Sequence, residues 1–551
     1  MIGSGIDWTA GSEAEVRRRH RFCVPARLNV GVAACDAHAD GRGRLALTCE
    51  RDGGAAPGRV THHTFDELAH ASTRLMSALR RLGIERGDRV AVFLPQRVEC
   101  ALAHLATLKA GAVSVPLSPL FRADALEYRL AHSGAKVLVT DAEHLPHLAE
   151  IRGRLPALRA VLSCEPAAGA ESLAAALAAG DPDAAAADTS CDDPAMLIYT
   201  SGTSGRPKGA LHAHRFLPGR LSGFELIHKL EGDPTGGPFW TPADWAWVGG
   251  LVDCVLTPWV FGRPVLAYHR GAFDVERAWS LISRHEVRSL FLPPTAMNLL
   301  KTIGDPRSRF PLAVRSVHSA GEPLTPETYA WAARVFPSVL ELYGMTEMGA
   351  VIGCSPFFPV RPGSMGKPYP GHEVALLDER GDPVRAGEPG EIAIKKGDPG
   401  MFLGYFDDPA GTAARFRGDW LVTGDIARVD ADGYYHYLGR DDDMFNASGY
   451  RVGPSEIEET LEQHPTVERA GVIGDPDEAR GMVVKAFVLL RAGVAPSVAL
   501  ADELRAHVKA RLATYEYPRK IVFARELPMT VTGKLRRADL RAADADARYG
   551  V

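Results

Sequence analysis

Residues 199–209 read Tyr-Thr-Ser-Gly-Thr-Ser-Gly-Arg-Pro-Lys-Gly, and the chemistry of this stretch decides how the rest of the chain is read. Four hydroxyls (Thr200, Ser201, Thr203, Ser204), the glycines Gly202, Gly205 and Gly209, and Lys208 share one short loop. Glycine lets a backbone approach a ligand and turn its N–H groups inward, while hydroxyls donate hydrogen bonds and lysine brings a mobile positive charge. A polyphosphate is the ligand such a loop suits. The spacing is not that of the common P-loop, because Pro207 precedes Lys208 and no Ser or Thr follows it. The apolar run Ala195-Met-Leu-Ile198 predicts a buried strand that delivers the loop to a sheet edge.

Outward from this loop the pattern is α/β. Residues 65–83 have amphipathic helical spacing ended by Gly83; Arg89–Leu94 reads as a strand, and residues 97–110 as a helix. Short apolar runs at Val113–Leu117 and Ala135–Thr140 continue the alternation of strand and helix through residue 340. The alanine-rich, acidic segment 165–193 reads as a passive connector with one loosely held helix. After residue 375, short β-like runs separated by Gly381-Asp382, Pro389-Gly390 and Asp432-Gly433 predict a β-rich subdomain. Leu438-Gly-Arg-Asp-Asp-Asp443 reads as a boundary. Beyond it, Pro454 opens a helix with acids in its first turn and Ile457 and Leu461 on one face, followed by a strand at 484–491 and a helix at 500–512. The expectation is an α/β protein with a large N-terminal domain (1–440) of α/β subdomains plus a β-rich subdomain. A small α+β C-terminal domain (441–551) follows it.

Composition removes several classes. The 551 residues suffice for several cores, and a net charge of −5 gives no general attraction to nucleic acid or to a membrane surface. No run of about 18 apolar residues predicts a membrane span. The eight scattered cysteines contain no C-x-x-C pair, so a disulfide framework and a thiolate metal site are not expected and a cytoplasmic location is. A homo-oligomer is compatible with all of this.

Four further segments carry polar groups suited to a nucleotide. Ser319-Ala-Gly-Glu-Pro323 is a small-residue turn along which a planar ring could pass close to backbone. Tyr343-Gly-Met-Thr-Glu347 offers an aromatic face, a hydroxyl and a carboxylate, and Glu347 has the hard oxygens that Mg²⁺ takes. Asp425 and Arg440 supply an acceptor and fixed donors for a ribose diol. Pro528-Met-Thr-Val-Thr-Gly-Lys534 presents one lysine on a glycine turn. Each has a bland reading alone: a helix-entry turn, a solvated acid, a structural ion pair, a surface lysine.

In this order, the five segments resemble the acyl-adenylate-forming superfamily of acyl-CoA synthetases, luciferases and peptide-synthetase adenylation domains, over about residues 40–540. Arg361-Pro-Gly-Ser-Met-Gly-Lys-Pro368 and Asn446-Ala-Ser-Gly-Tyr-Arg-Val-Gly-Pro-Ser-Glu-Ile457 are most similar to the medium-chain branch. The resemblance implies that a carboxylic acid, ATP and CoA are the substrates, with Mg²⁺ held by Glu347. It implies that Thr200, Ser201, Gly202, Thr203, Ser204 and Lys208 cradle the β- and γ-phosphates, with Thr346 near the α-phosphate. Tyr343 would stack on adenine, with Gly321, Glu322 and Pro323 on its other side, and Asp425 and Arg440 would grip the ribose. Lys534 would bridge the acid's carboxylate and the ribose or α-phosphate oxygens. The small domain would turn about a hinge matched by Asp442, bringing Gly449 to the pantetheine arm for thioester formation. Trp247, Val248, Gly249, Ala320 and Gly344 would line the acyl pocket. Acetate-specific relatives carry a tryptophan where Gly344 stands, so the glycine predicts an open volume and a medium-chain or aromatic acid. The alternatives are a ligase that loads a carrier protein and a nucleotide-binding regulator without chemistry.

Overall fold

A computed structural model gives the architecture and describes residues 2–53, 56–200, 207–228, 236–269, 273–322, 324–441, 443–447, 450–477, 481–512, 516–529 and 535–545. The expected helix at 65–83 forms as Phe65–Arg81. Thr64 and Glu67 make a reciprocal capping box at its start, and Leu68, Leu75, Met76 and Leu79 are buried on one side. Helix Val98–Lys109 has no polar face and is buried all round, in contact with the Phe65–Arg81 helix. Its terminal Lys109 can sit inside because Asp36 lies 2.5 Å from its Nζ and the Ala69 carbonyl accepts from it at 3.1 Å.

Two large sheets carry the N-terminal domain. In the eight-stranded sheet, Val113–Leu117 and Val137–Thr140 flank Arg89–Phe93 in parallel. The sheet continues through Pro194–Thr200 to Lys208–Ala213 and ends at Gly404–Tyr405. The buried strand expected before residue 201 is present, inside the sheet and paired on one side with the strand that follows its own loop. In the nine-stranded sheet, Ser289–Phe291, Ser316–Ser319 and Val339–Met345 run parallel, and Gly349–Gly353 turns back antiparallel. One contiguous apolar core, with Trp245 and Trp259 fully buried, reaches residues of both sheets and the helices between them. Five short strands between residues 374 and 440 form the expected β-rich unit.

Beyond residue 453 the chain builds a separate small layer. Helix Pro454–Glu462 buries Ile457 and Leu461 as its spacing predicts. Gly481–Leu490, helix Val498–Lys509 and Lys520–Ala524 make a parallel strand–helix–strand crossover. Strand Val467–Asp477, which the sequence reading passed over, pairs antiparallel with Gly481–Leu490. Arg537 fastens the base of this unit, with Nη1 donating to Asp443 at 2.9 Å and Nη2 to Glu458 at 2.5 Å.

Candidate functional site

Strand Val339–Met345 is the last parallel strand of its sheet. Gly349, at φ +78°, permits the reversal that follows the Thr346–Met348 turn. Ligand sites of α/β sheets lie at such carboxyl ends. Here the Tyr343 hydroxyl donates to Asp425 Oδ2 at 2.6 Å. Asp425 and Arg440, fifteen residues apart in sequence, face each other in register across the antiparallel pair Trp420–Val429 and Tyr435–Arg440. Arg440 Nη1 stands 3.4 Å from Asp425 Oδ1, and the Tyr437 hydroxyl donates to the same oxygen at 3.4 Å. Burial, reinforced by the Asp425 carboxylate, raises both the Tyr343 and Tyr437 phenols well above their ordinary range. Both therefore remain protonated donors at neutral pH.

A second cluster joins the same turn to the other sheet. Glu347 is 5% exposed, and its Oε1 accepts from the Tyr405 hydroxyl at 2.6 Å. Tyr405 pairs in register with Ala210, on the strand that begins at Lys208. Lys208 Nζ lies 4.8 Å from the centre of the Tyr405 ring and 3.1 Å from Asp408 Oδ2. A cavity of about 220 Å³ opens beside Lys208, Tyr405 and Asp408. Lys208 and Glu347 thus stand on either side of one tyrosine, an arrangement that suits an anion together with a hard cation. Among the described residues no group of three or more His, Cys, Asp or Glu could hold a metal ion by itself. Glu347 alone, with oxygens supplied by a phosphate, fits Mg²⁺, which keeps most of its shell as water and substrate oxygen.

The remaining expected residues divide. Thr200 is half-buried at the end of its strand, its hydroxyl donating to the Lys208 carbonyl at 3.4 Å, and Thr346 is half-buried next to Glu347. Gly321, at φ +93°, has open space where a Cβ would stand, as close passage of a flat ligand requires. Glu322 accepts from the Thr295 hydroxyl at 3.2 Å. Ser201, Gly202, Thr203, Ser204, Pro323, Asp442, Gly449 and Lys534 lie outside the described residues. Tyr405, Tyr437 and Arg415, which donates to the Thr423 carbonyl at 2.9 Å, were not singled out from the sequence. In short β-runs such residues look like ordinary sheet packing.

At the acyl end one expectation fails. The volume predicted beside Gly344 is absent, because a Cβ there would meet the Gly349 carbonyl oxygen at 2.3 Å. The glycine is required by the close antiparallel approach of residues 349–350. At Gly249 a Cβ would lie 2.7 Å from Phe291 Cε1, so an aromatic ring covers that position, and Phe291 itself stacks on His318 at 4.9 Å. Trp240 and Trp245 are core residues, whereas half-buried Trp247 meets Phe121 edge-on at 6.4 Å. Val248 is partly buried and packs against the main core, and half-buried Ala320 directly follows the strand that carries His318.

Two residues before Tyr343, burial pushes the Glu341 carboxyl up to about 8. The backbone N–H of Leu324 donates to it at 3.4 Å, and Cys354 and Glu459 also face it. Between the ordinary value of 4.5 and about 8, the folded protein holds a proton that the unfolded chain has lost. Stability therefore falls as pH rises through that window. Glu341→Gln is expected to raise the melting temperature by a few degrees above pH 8 and to leave it nearly unchanged near pH 5, by calorimetry.

Residues 36–406 match the family described as AMP-binding enzyme, and residues 456–534 match the AMP-binding enzyme C-terminal domain. The acetyl-coenzyme A synthetase of Bacillus subtilis (strain 168) is 35% identical, over 99% of this chain and 95% of its own. The human mitochondrial acyl-coenzyme A synthetase ACSM4 is also 35% identical, over 87% of this chain and 83% of its own. Among solved structures, the anthranilate CoA ligase AuaEII in complex with anthranoyl-AMP superposes with a TM-score of 0.84 at 30% identity, covering 95% of this chain and 99% of that one. The chain belongs to the AMP-binding enzyme family, with a large N-terminal and a smaller C-terminal domain. No helix among the described residues is long and apolar enough to cross a membrane.

Asp425 collects two phenols and a guanidinium. Asp425→Asn keeps the shape but removes the charge that those donors face. Hydrogen bonds to a charged group contribute about 1.5–3 kcal/mol, so ATP kcat/KM is expected to fall by about ten- to a hundredfold, with circular dichroism unchanged.

Proposed function

We propose that this protein is an AMP-forming acid–thiol ligase, an acyl-CoA synthetase. It activates a carboxylic acid with ATP as acyl-AMP, releases pyrophosphate, then passes the acyl group to CoA and releases AMP. The observation that carries the reading is the meeting of Tyr343, Asp425, Tyr437 and Arg440 with the Glu347–Tyr405–Lys208 cluster at one strand end. A nucleoside triphosphate offers both a diol and a polyphosphate, and these two clusters suit those two parts. Both the acid and ATP are anions, so the protein's part in the first step is to neutralise charge and align them. Lys208, with Thr200 to Ser204, cradles the phosphates, Tyr343 and Gly321 to Pro323 take the adenine, and Asp425 with Arg440 holds the ribose. Thr346 and Lys534 would serve the reacting phosphorus, and Glu347 would hold Mg²⁺, whose charge would offset that of the phosphates. For the second step the unit beyond residue 440 turns about Asp442 and brings Gly449 to the thiol.

The acid in this reading is medium-chain or aromatic rather than acetate. What supports it is the apolar surround of this region: the Phe291 ring packs on Gly249, and half-buried Trp247 meets Phe121 edge-on. Each methylene buried against such a wall contributes about 0.8 kcal/mol. The test is CoA-dependent AMP release over acetate, butyrate, hexanoate, octanoate, benzoate, 2-aminobenzoate and phenylacetate. Release without any added carrier protein, with hexanoate or benzoate favoured over acetate, is the expected result. Dependence on a carrier would overturn the thiol assignment, and equal turnover of acetate and hexanoate would overturn the pocket assignment.

A further inference from the structure

One buried guanidinium is left half used by the fold. Arg220 closes the turn Pro218–Arg220 and is 3% exposed. Its Nη1 donates to Asp253 at 3.2 Å. One face lies against Gly349, where a Cβ would come 2.8 Å from Cζ, and the Phe216 ring centre lies 6.0 Å from the same atom. Nε and Nη2 have no hydrogen-bond partner among the described residues. These two N–H groups share the side edge of the guanidinium and point in parallel, the fork that matches a pair of oxygens. Leaving such donors buried and unmet is costly, so the pattern asks for a ligand. Burial, then the Arg220 charge, hold the pKa of nearby His212 down at about 3.

The position of this fork ties it to the acid. Asp253 stands one helical turn after Gly249, in a stretch where the helix widens to π geometry over Val252–Leu256, a local change that re-aims side chains. Gly349 and Ala350 are the register partners of Met345 and Gly344. Arg220 therefore links the helix that carries Gly249, the wall assigned above to the acyl group, to the hairpin formed by Val339–Met345 and Gly349–Gly353. Resting on that assignment, we propose that Arg220 is a specificity-determining residue whose free edge receives an oxygen group at the far end of the acid. The preferred substrates are then acids with a second, distal oxygen group, a carboxylate foremost, rather than plain hydrocarbon acids.

The test is acid-dependent ATP–pyrophosphate exchange by the full chain with matched pairs, hexanoate against adipate and benzoate against terephthalate. A site built to hydrogen-bond a substrate group discriminates strongly against the analogue that lacks it, so the wild type is expected to favour the oxygen-bearing member by at least about tenfold in kcat/KM. Removing both charges together, in Arg220→Met with Asp253→Leu, avoids stranding either one, and the ratio is expected to fall to about one or below. Arg220→Lys keeps the charge but not the fork and should give an intermediate ratio, which covers the case where the double variant does not fold. Wild-type preference for the plain acid, or an unchanged ratio in a folded variant, overturns this inference alone. Exchange with no acid at all overturns the ligase reading and this inference with it.

Discussion

Glu347→Gln is expected to lower ATP–pyrophosphate exchange by about two to three orders of magnitude, the range seen when one preorganised electrostatic group is removed from a reacting centre. The substitution is nearly isosteric. The amide oxygen can still accept from the Tyr405 hydroxyl, now 2.6 Å from Glu347 Oε1, and the Phe402 N–H still reaches the main-chain carbonyl at 2.7 Å. On the proposed function, what disappears is the negative charge beside the phosphates, and with it the affinity for Mg²⁺. Raising the Mg²⁺ concentration should recover part of the lost rate. Tyr405→Phe provides the contrast: it frees the carboxylate without discharging it, and the expected loss is about tenfold or less. A purely structural Glu347 would give the opposite pair of results. Both variants would then lower the melting temperature, and neither would change the response to Mg²⁺.

The difference between those two residues also marks what the sequence could reveal. Glu347 was legible because it sits beside Tyr343 and Thr346 in a five-residue run, whereas Tyr405 reaches it only because Gly404–Tyr405 adds to the far edge of the other sheet. A pairing between segments nearly sixty residues apart leaves no local mark. Helix Phe65–Arg81 was readable from both ends, since Thr64 and Glu67 announce its start and apolar spacing fixes its buried face. Strand Val467–Asp477 was not, because Glu468, Arg469, Gly474 and Pro476 break its alternation and pairing with Gly481–Leu490 supplies what propensity lacks. Asp425 and Arg440 were legible as separate polar positions, and the tight hairpin at Asp432-Gly433 is what sets them opposite each other. Gly344 misled for a general reason. A glycine is equally the mark of an empty space and of a backbone that comes too near for any side chain, and the antiparallel return of Gly349–Gly353 makes it the second.

Lys534→Ala is expected to lower acyl-adenylate formation by about two to three orders of magnitude while leaving thioester formation from supplied acyl-AMP within a fewfold of normal. The lysine lies outside the described residues, but the flanks of its segment do not. Met529 and Leu535 form an antiparallel bridge. Immediately beyond, Arg537 is tied to Asp443 and Glu458. A charge borne on the C-terminal unit can serve one half-reaction and be withdrawn for the other, which matters because no single pocket complements both transition states. Lys534→Arg sharpens the experiment. It preserves the charge but spreads it over a planar fork, so adenylation should recover only in part. Equal loss of both half-reactions in Lys534→Ala would place the lysine in a shared substrate contact and remove the reason for the unit beyond residue 440 to move between steps.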